Sequence, residues 1–188
     1  MCGIAGFLSF NEPFHPADEM GFHTPLRFRG PDHFGKTAIN TESIKGKLFH
    51  YRLSILDLDA RSNQPMKSNS GKSEIVFNGE IYNHQEVRKK HNLDCKTNSD
   101  TETILHAYAK LGAACLHDFD GMFTIAIYNS SSQQLFLARD RAGKKPLYYF
   151  SHNNIFVFCS ELKALRRQLP LTINETNIQE YVRMGYFY

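Results

Sequence analysis

The chain has 188 residues, 41% hydrophobic and 22% charged, with 22 Lys plus Arg against 19 Asp plus Glu and a formal net charge of +3. That length fits one domain with at most a short appendix, and those fractions are ordinary for a globular protein. The small, scattered positive charge announces neither nucleic acid nor membrane binding, no apolar run approaches the roughly 20 residues of a membrane span, and no secretion signal opens the chain, which together predict a cytoplasmic protein.

Gly3 to Phe10 reads as a first strand and Glu12 to Pro16 as a turn or loop. A short helical stretch follows, broken by Pro25, which lacks a backbone donor. Arg29-Gly30-Pro31-Asp32 reads as a turn. Lys47 to Leu56 reads as one or two strands, then an irregular loop runs from Asp57 to Lys72. Glu74 to Phe77 reads as a strand ending at Asn78-Gly79, a strong tight-turn signal. Asn83 to Lys90 reads as a polar, solvent-facing helix. In a second helix, Thr101 to Leu111, the residues Ile104, Leu105, Tyr108 and Leu111 fall on one stripe at the helical period. Met122–Tyr128, Gln134–Ala138, Leu147–Phe150 and Ile155–Cys159 read as strands, separated by Asn, Ser and Gly turns. Glu161 to Gln168 and Glu175 to Met184 read as helices, the second capped by Asn174. Many strands in antiparallel hairpins, with helices in the middle and at the end, give the α+β class, helices layered over stacked sheets. The three closing aromatics, Tyr186-Phe187-Tyr188, read as a fragment cut where a further domain begins.

Four cysteines, Cys2, Cys95, Cys115 and Cys159, show no C-x-x-C spacing, which argues against both a zinc site and a disulfide scaffold. Cys115 and Cys159 lie among apolar residues and read as core thiols. The nine histidines have no H-E-x-x-H or paired helical spacing, so no metal site is expected. Cys2 differs by its place in the chain. A residue this small beside Met1 permits removal of Met1, which leaves a thiol and a free α-amine on one carbon frame. Their unperturbed pKa values, roughly 8.5 and 7.7–8.0, both lie close to neutrality. The amine then takes the thiol proton and later returns it to a leaving group. The alternative is a small apolar residue that opens the first strand.

Other candidates carry two readings each. Arg52, in the pattern Tyr51-Arg52-Leu53-Ser54-Ile55, needs a partner, and a planar carboxylate suits it best: a ligand's, or that of a structural ion pair. Asn78-Gly79-Glu80 is a hairpin turn, or an oxyanion hole built from the Asn78 amide and the Gly79 N–H. Ser99-Asp100-Thr101-Glu102 fits an S-x-x-E capping box, with Asp100 favourable at a helix start and equally able to receive an ammonium. Arg139 to Pro146 imitates a phosphate loop, but Ala138 stands where the first glycine belongs and Lys145 where Ser or Thr belongs, so nucleotide binding is rejected there.

The order of the motifs is more specific than any one of them. Cys2-Gly3-Ile4-Ala5-Gly6, Arg29-Gly30-Pro31-Asp32, Arg52-Leu53-Ser54-Ile55, Asn63-Gln64-Pro65-Met66, Asn78-Gly79-Glu80-Ile81-Tyr82-Asn83, Ser99-Asp100-Thr101-Glu102 and Gly143-Lys144-Lys145-Pro146-Leu147-Tyr148-Tyr149 follow in sequence. This resembles the glutaminase domain of class II glutamine amidotransferases, in the asparagine synthetase (glutamine-hydrolysing) type, from residue 2 to about residue 167. The sister amidotransferases of hexosamine and purine synthesis carry a Thr-Arg-Trp-type segment where this chain has Tyr51-Arg52-Leu53-Ser54, and this chain has no tryptophan.

The resemblance implies an N-terminal-nucleophile fold, a four-layer αββα sandwich with two stacked antiparallel sheets. It implies Cys2 as nucleophile, its α-amine as base, and Asn78 and Gly79 as the oxyanion hole. Arg52 would hold the α-carboxylate of L-glutamine with Leu53, Ile55 and Leu56 lining that side, and Asp100 would hold the α-ammonium with help from Glu80. No metal belongs to this site. The glutaminase domain would span 2–170, and 171–188 would start the connection to a synthetase domain, in the same or a partner chain. That domain alone would use ATP and magnesium, because no SGGxDS-like loop occurs here. Ammonia would pass to an activated carboxylate there, with homo-oligomers allowed and no nucleic acid or membrane partner. Two alternatives stand beside this reading: a non-catalytic docking module, and a glutaminase that stays quiet until its acceptor domain is loaded.

Overall fold

The computed structural model describes residues 1–11, 19–166 and 174–185. A five-stranded sheet is formed by β1 (Gly3–Phe10), β2 (His33–Asn40), β3 (Ile44–Arg52), β8 (Tyr148–His152) and β9 (Ile155–Cys159), in the order β2-β3-β1-β9-β8. A four-stranded sheet is formed by β4 (Met66–Lys67), β5 (Ser73–Ile81), β6 (Gly121–Asn129) and β7 (Gln134–Arg139), in that order. Every pairing is antiparallel.

Strand periodicity sets the layers, because successive side chains point to opposite faces. Along β1, Ile4 and Leu8 enter the space between the sheets, where they meet Val76 of β5 and Ala126 of β6. Ala5 and Phe7 point outward instead, to Phe22 of α1 (Glu19–His23), Leu26, and Ala164 and Leu165 of α4 (Leu162–Arg166). On the second sheet, Ile75 and Phe77 point outward to Ile104 and Leu105 of α3 (Asp100–Leu111) and to Val87 of α2 (His84–His91). The result is four layers, α–β–β–α, as the resemblance implies. Each large side chain sealed in these layers contributes about 1.5–3 kcal/mol.

The same alternation builds the site. Gly3 pairs with Tyr51, so Cys2 stands beside the end of β3. Leu48 faces inward, and the period of two carries His50 and Arg52 to that face as well. Val76 faces inward on β5, and two and four residues later so do Asn78 and Glu80.

Several sequence expectations change. Asn78-Gly79 is not a turn: β5 continues through it to Ile81, paired with β6 throughout. Glycine is required there by close approach, since a Cβ on Gly79 would stand 2.2 Å from the Met122 carbonyl oxygen. The segment 33–40, unassigned from sequence, is β2, a strand on the edge of its sheet. The capping box forms by half. Ser99 caps α3 by accepting from the Thr101 N–H at 3.2 Å, but Glu102 turns instead to the Lys96 and Thr97 N–H groups. The 83–90 helix is not wholly solvent-facing, because Val87 is buried. The stripe of Ile104, Leu105, Tyr108 and Leu111 does pack on the sheet, and Asn174 does cap α5 (Glu175–Met184), accepting from Thr176 and Asn177. The expected turn at 12–16 and the end of the 161–168 helix lie outside the described residues. No helix among those described is long and apolar enough to cross a membrane.

Candidate active site

At one end of the sandwich the two sheets leave a small cleft of about 110 Å³. Cys2 enters it from the start of β1. Its Sγ receives the Leu53 N–H at 3.4 Å and lies 3.7 Å from the Leu53 carbonyl oxygen. Two groups fix this corner: Arg29 Nε donates to the Cys2 carbonyl at 3.0 Å, and Asp32 accepts from the Ser54 N–H at 2.7 Å. Burial pushes the Cys2 thiol up, opposed by the Leu53 N–H, the chain's amine and Arg52. The amine, carried by Met1, lines the same cleft. Burial holds it below its usual value, and the Lys145 and Arg29 charges add to that against the pull of Cys2.

Asn78 is fully buried on the cleft wall, and neither its amide oxygen nor its amide nitrogen has a partner. The preceding residue is held through both its backbone groups. The Phe77 N–H donates to Gln64 Oε1 at 2.6 Å, and His50 Nε2 donates to the Phe77 carbonyl at 3.1 Å. Gln64 Nε2 donates in turn to Thr101 Oγ1 at 3.1 Å, which ties β5 to the start of α3.

Arg52 is 6% exposed, yet no carboxylate among the described residues lies within ion-pair distance of it. The structural ion pair weighed from sequence is therefore not formed. Its terminal nitrogens donate instead to the carbonyls of Leu56, Asp57 and Asp59 and to Asn63 Oδ1. The charge is thus solvated by a loop but not neutralised. On the other side of the cleft Asp100 opens α3, and its Oδ2 accepts from the Ile81 N–H at 3.0 Å. Burial, reinforced by the Glu80 charge, pushes its carboxyl up to about 6.

All nine residues expected at the site, Cys2, Arg52, Leu53, Ile55, Leu56, Asn78, Gly79, Glu80 and Asp100, line this one cleft. Sequence reading did not single out Gln64, Thr101, Met122 and Lys145, which line it too. Gln64, Thr101 and Lys145 lie within the sequence motifs, but nothing local marks a Gln, Thr or Lys as inward-facing. Cys115 and Cys159 are unlike Cys2: both are buried, and burial pushes both thiols up to about 11.

The sequence profile of the glutamine amidotransferase domain family matches residues 1–188. The chain is 38% identical, over 88% of its length, to asparagine synthetase (glutamine-hydrolysing) 2 of Bacillus subtilis, of which it spans 22%. It is 40% identical, over 74% of its length, to asparagine synthetase B (glutamine-hydrolysing) of Escherichia coli, of which it spans 25%. The chain thus spans well under half the length of these curated relatives. Among solved structures, glutamine phosphoribosylpyrophosphate amidotransferase of Bacillus subtilis, complexed with ADP and GMP, superposes with a TM-score of 0.70 at 18% identity. That match covers 87% of this chain and 43% of the other, and it bears on the fold alone.

Proposed function

This chain belongs to the glutamine amidotransferase family, in its asparagine synthetase type, and from that premise we propose that it hydrolyses the side-chain amide of L-glutamine through a thioester on Cys2. One observation carries the proposal: the buried, unpartnered amide of Asn78 faces the same small cleft as a thiol, a guanidinium without a counter-anion and a carboxylate. That set is complementary to an α-amino acid with a polar carbonyl at its far end. Arg52 takes the α-carboxylate and Asp100, with Glu80, the α-ammonium. Two fixed ends decide which carbonyl meets the sulfur, and such positioning is worth several kcal/mol.

In this reading Met1 is removed, and the freed Cys2 amine takes the thiol proton. The thiolate attacks the side-chain amide carbon, and the resulting oxyanion receives the Asn78 Nδ2–H and the Gly79 N–H. The C–N bond then breaks, the amine returns its proton, and ammonia departs. Water, deprotonated by the same amine, attacks the γ-glutamyl thioester, and glutamate leaves with the thiol restored.

The domain boundary near 170, the connection at 171–188 and the partner synthetase domain that takes the ammonia belong to the same proposal. ATP and magnesium act only on that further domain. Four free thiols suit a reducing compartment, which supports the cytoplasm. A second reading has one observation of its own. Because the loop at 56–59 occupies the terminal donors of Arg52, a substrate carboxylate must displace loop carbonyls, so a domain that waits for its acceptor partner is supported as well.

Glutamate release is measured on protein whose intact mass shows Cys2 first, beside Cys2→Ala. Turnover lost in the variant is the expected result. Glutamine binding without turnover in the processed protein would favour the waiting domain, and neither binding nor turnover would sink the enzyme reading in favour of a docking module.

A further inference from the structure

The loop after β7, rejected above as a phosphate loop, is built around one side chain that the mechanism does not use. Asp140, 6% exposed, gathers the N–H groups of Lys144 at 2.8 Å, Lys145 at 3.0 Å and Phe123 at 3.2 Å on its carboxylate. Arg139 Nε donates to the Lys145 carbonyl at 2.7 Å, and Thr124 Oγ1 donates to it at 3.4 Å. Gly143 makes the bend at φ +64°. Lys145 has its backbone fixed on every side. Its side chain, 4% exposed, lines the cleft beside Met1, Cys2, Glu80 and Met122. Among the described residues no hydrogen bond or ion pair ends on its ammonium.

An unpartnered ammonium at the end of a buried side chain is costly, so a rigid loop that presents one to a catalytic cleft calls for a reason. We propose that Lys145 is a positioning residue for the nucleophile, a fixed cation that keeps the neighbouring amine neutral, and so able to accept a proton, while it favours the thiolate of Cys2. The idea rests on the glutaminase reading and deepens it. Other charges face the same corner. Arg29 is bound to the Cys2 carbonyl and paired with Glu161 at 3.5 Å, and Arg52 is held by its loop. Asp32 is engaged with Ser54, Asp100 with Ile81, and Asp140 is spent on its own loop. Glu80 opposes the effect from β5. Lys145 is the cation of this group with neither a counter-ion nor a hydrogen bond; its charge acts on the thiol, as that of Arg52 does, and on the amine at the chain start, which Met1 carries before it is removed.

Cys2 alkylation by iodoacetamide, read on the Cys2 peptide by mass spectrometry, follows the thiolate across pH in the processed protein without needing turnover. In Lys145→Met the midpoint is expected about one pH unit higher, so that alkylation near neutrality falls roughly tenfold. Glutamate release should move the same way and recover at higher pH. Lys145→Arg should keep the wild-type midpoint, and Lys145→Met should melt no lower than wild type, which a merely structural lysine would not allow. An unchanged midpoint in folded Lys145→Met, or an equal shift in Lys145→Arg, overturns the proposal. Lys145→Gln is read identically should the Met variant fail to fold. Wild type that releases no glutamate would overturn the glutaminase reading, while the alkylation profiles would still decide the role of Lys145.

Discussion

Asn78 is the residue where stability and function part most cleanly. Both polar atoms of its amide are sealed from water and unpartnered, and each such group costs about 1–3 kcal/mol. A protein keeps that cost where a ligand supplies the missing acceptor, in the proposed mechanism the oxyanion. Asn78→Ala is therefore expected to lower the glutaminase rate roughly a hundred- to thousandfold. Its melting temperature should stay level or rise, because the substitution removes an unsatisfied group from the fold. Steady-state kinetics beside a thermal melt check this, and a large drop in both would mean that Asn78 serves structure. Cys2 was legible in the sequence because chain position alone gives a thiol its amine. Lys145 was not, because its meaning comes from a loop folded over β6 and from the absence of a partner, neither of which a linear motif displays.

At the scale of elements, the start of α3 is a braced platform. Arg88 of α2 donates to the Thr97 carbonyl at 2.7 Å, to the Ser99 carbonyl at 2.5 Å and to Thr103 Oγ1 at 2.6 Å. Glu102 holds the other side of that turn by accepting from Lys96 and Thr97. Together they aim Asp100 into the cleft. Arg88→Met orphans the Thr97 carbonyl, leaves the Ser99 carbonyl only the Thr103 hydroxyl at 3.5 Å, and frees the turn, at a cost of about 1–3 kcal/mol. Because Arg88 touches no reacting atom, KM for glutamine should rise several-fold with kcat nearly unchanged, and a kcat loss at constant KM would contradict this. The helix itself was legible from its apolar stripe, whereas the brace was not, since Arg88 lies in a stretch that reads as plain surface. Two further misses share one cause, tertiary override of a local signal. β2 is an edge strand whose sequence, HFGKTAIN, lacks a sustained apolar alternation. Asn78-Gly79 has the composition of a turn, but pairing with β6 holds it extended and uses the glycine for close approach.

Across the whole molecule, two buried groups of opposite tendency enter the response to acid. His50 bridges the sheets, bonded to the Phe77 carbonyl of the facing strand, and burial pushes it down to about 3 from an ordinary 6.5. Below pH 6.5 the unfolded chain takes up this proton and the folded one does not, so the stability present above 6.5 is lost as pH falls toward 3. Asp100 runs the other way. Burial raises its carboxyl to about 6 from 3.8, so the folded state takes up that proton first and gains stability as pH falls from 6 to 3.8. Over that interval these two offset each other, and the slope left to wild type is set by the carboxylates held low, Glu19, Glu102 and Asp140 among them, which lose stability toward its acid end. Asp100→Asn removes the gain and leaves the His50 loss, so its melting temperature should fall more steeply than wild type between pH 6 and 3.8. His50→Gln removes the loss and should flatten or reverse the slope. Melts at matched ionic strength test both variants against wild type, and parallel slopes in all three would refute the assignment. The same linkage reaches the substrate: an ammonium beside Asp100 needs the carboxylate charged, so KM for glutamine should climb as pH drops below about 6, a rise that Asp100→Asn, already weak in binding, should not share.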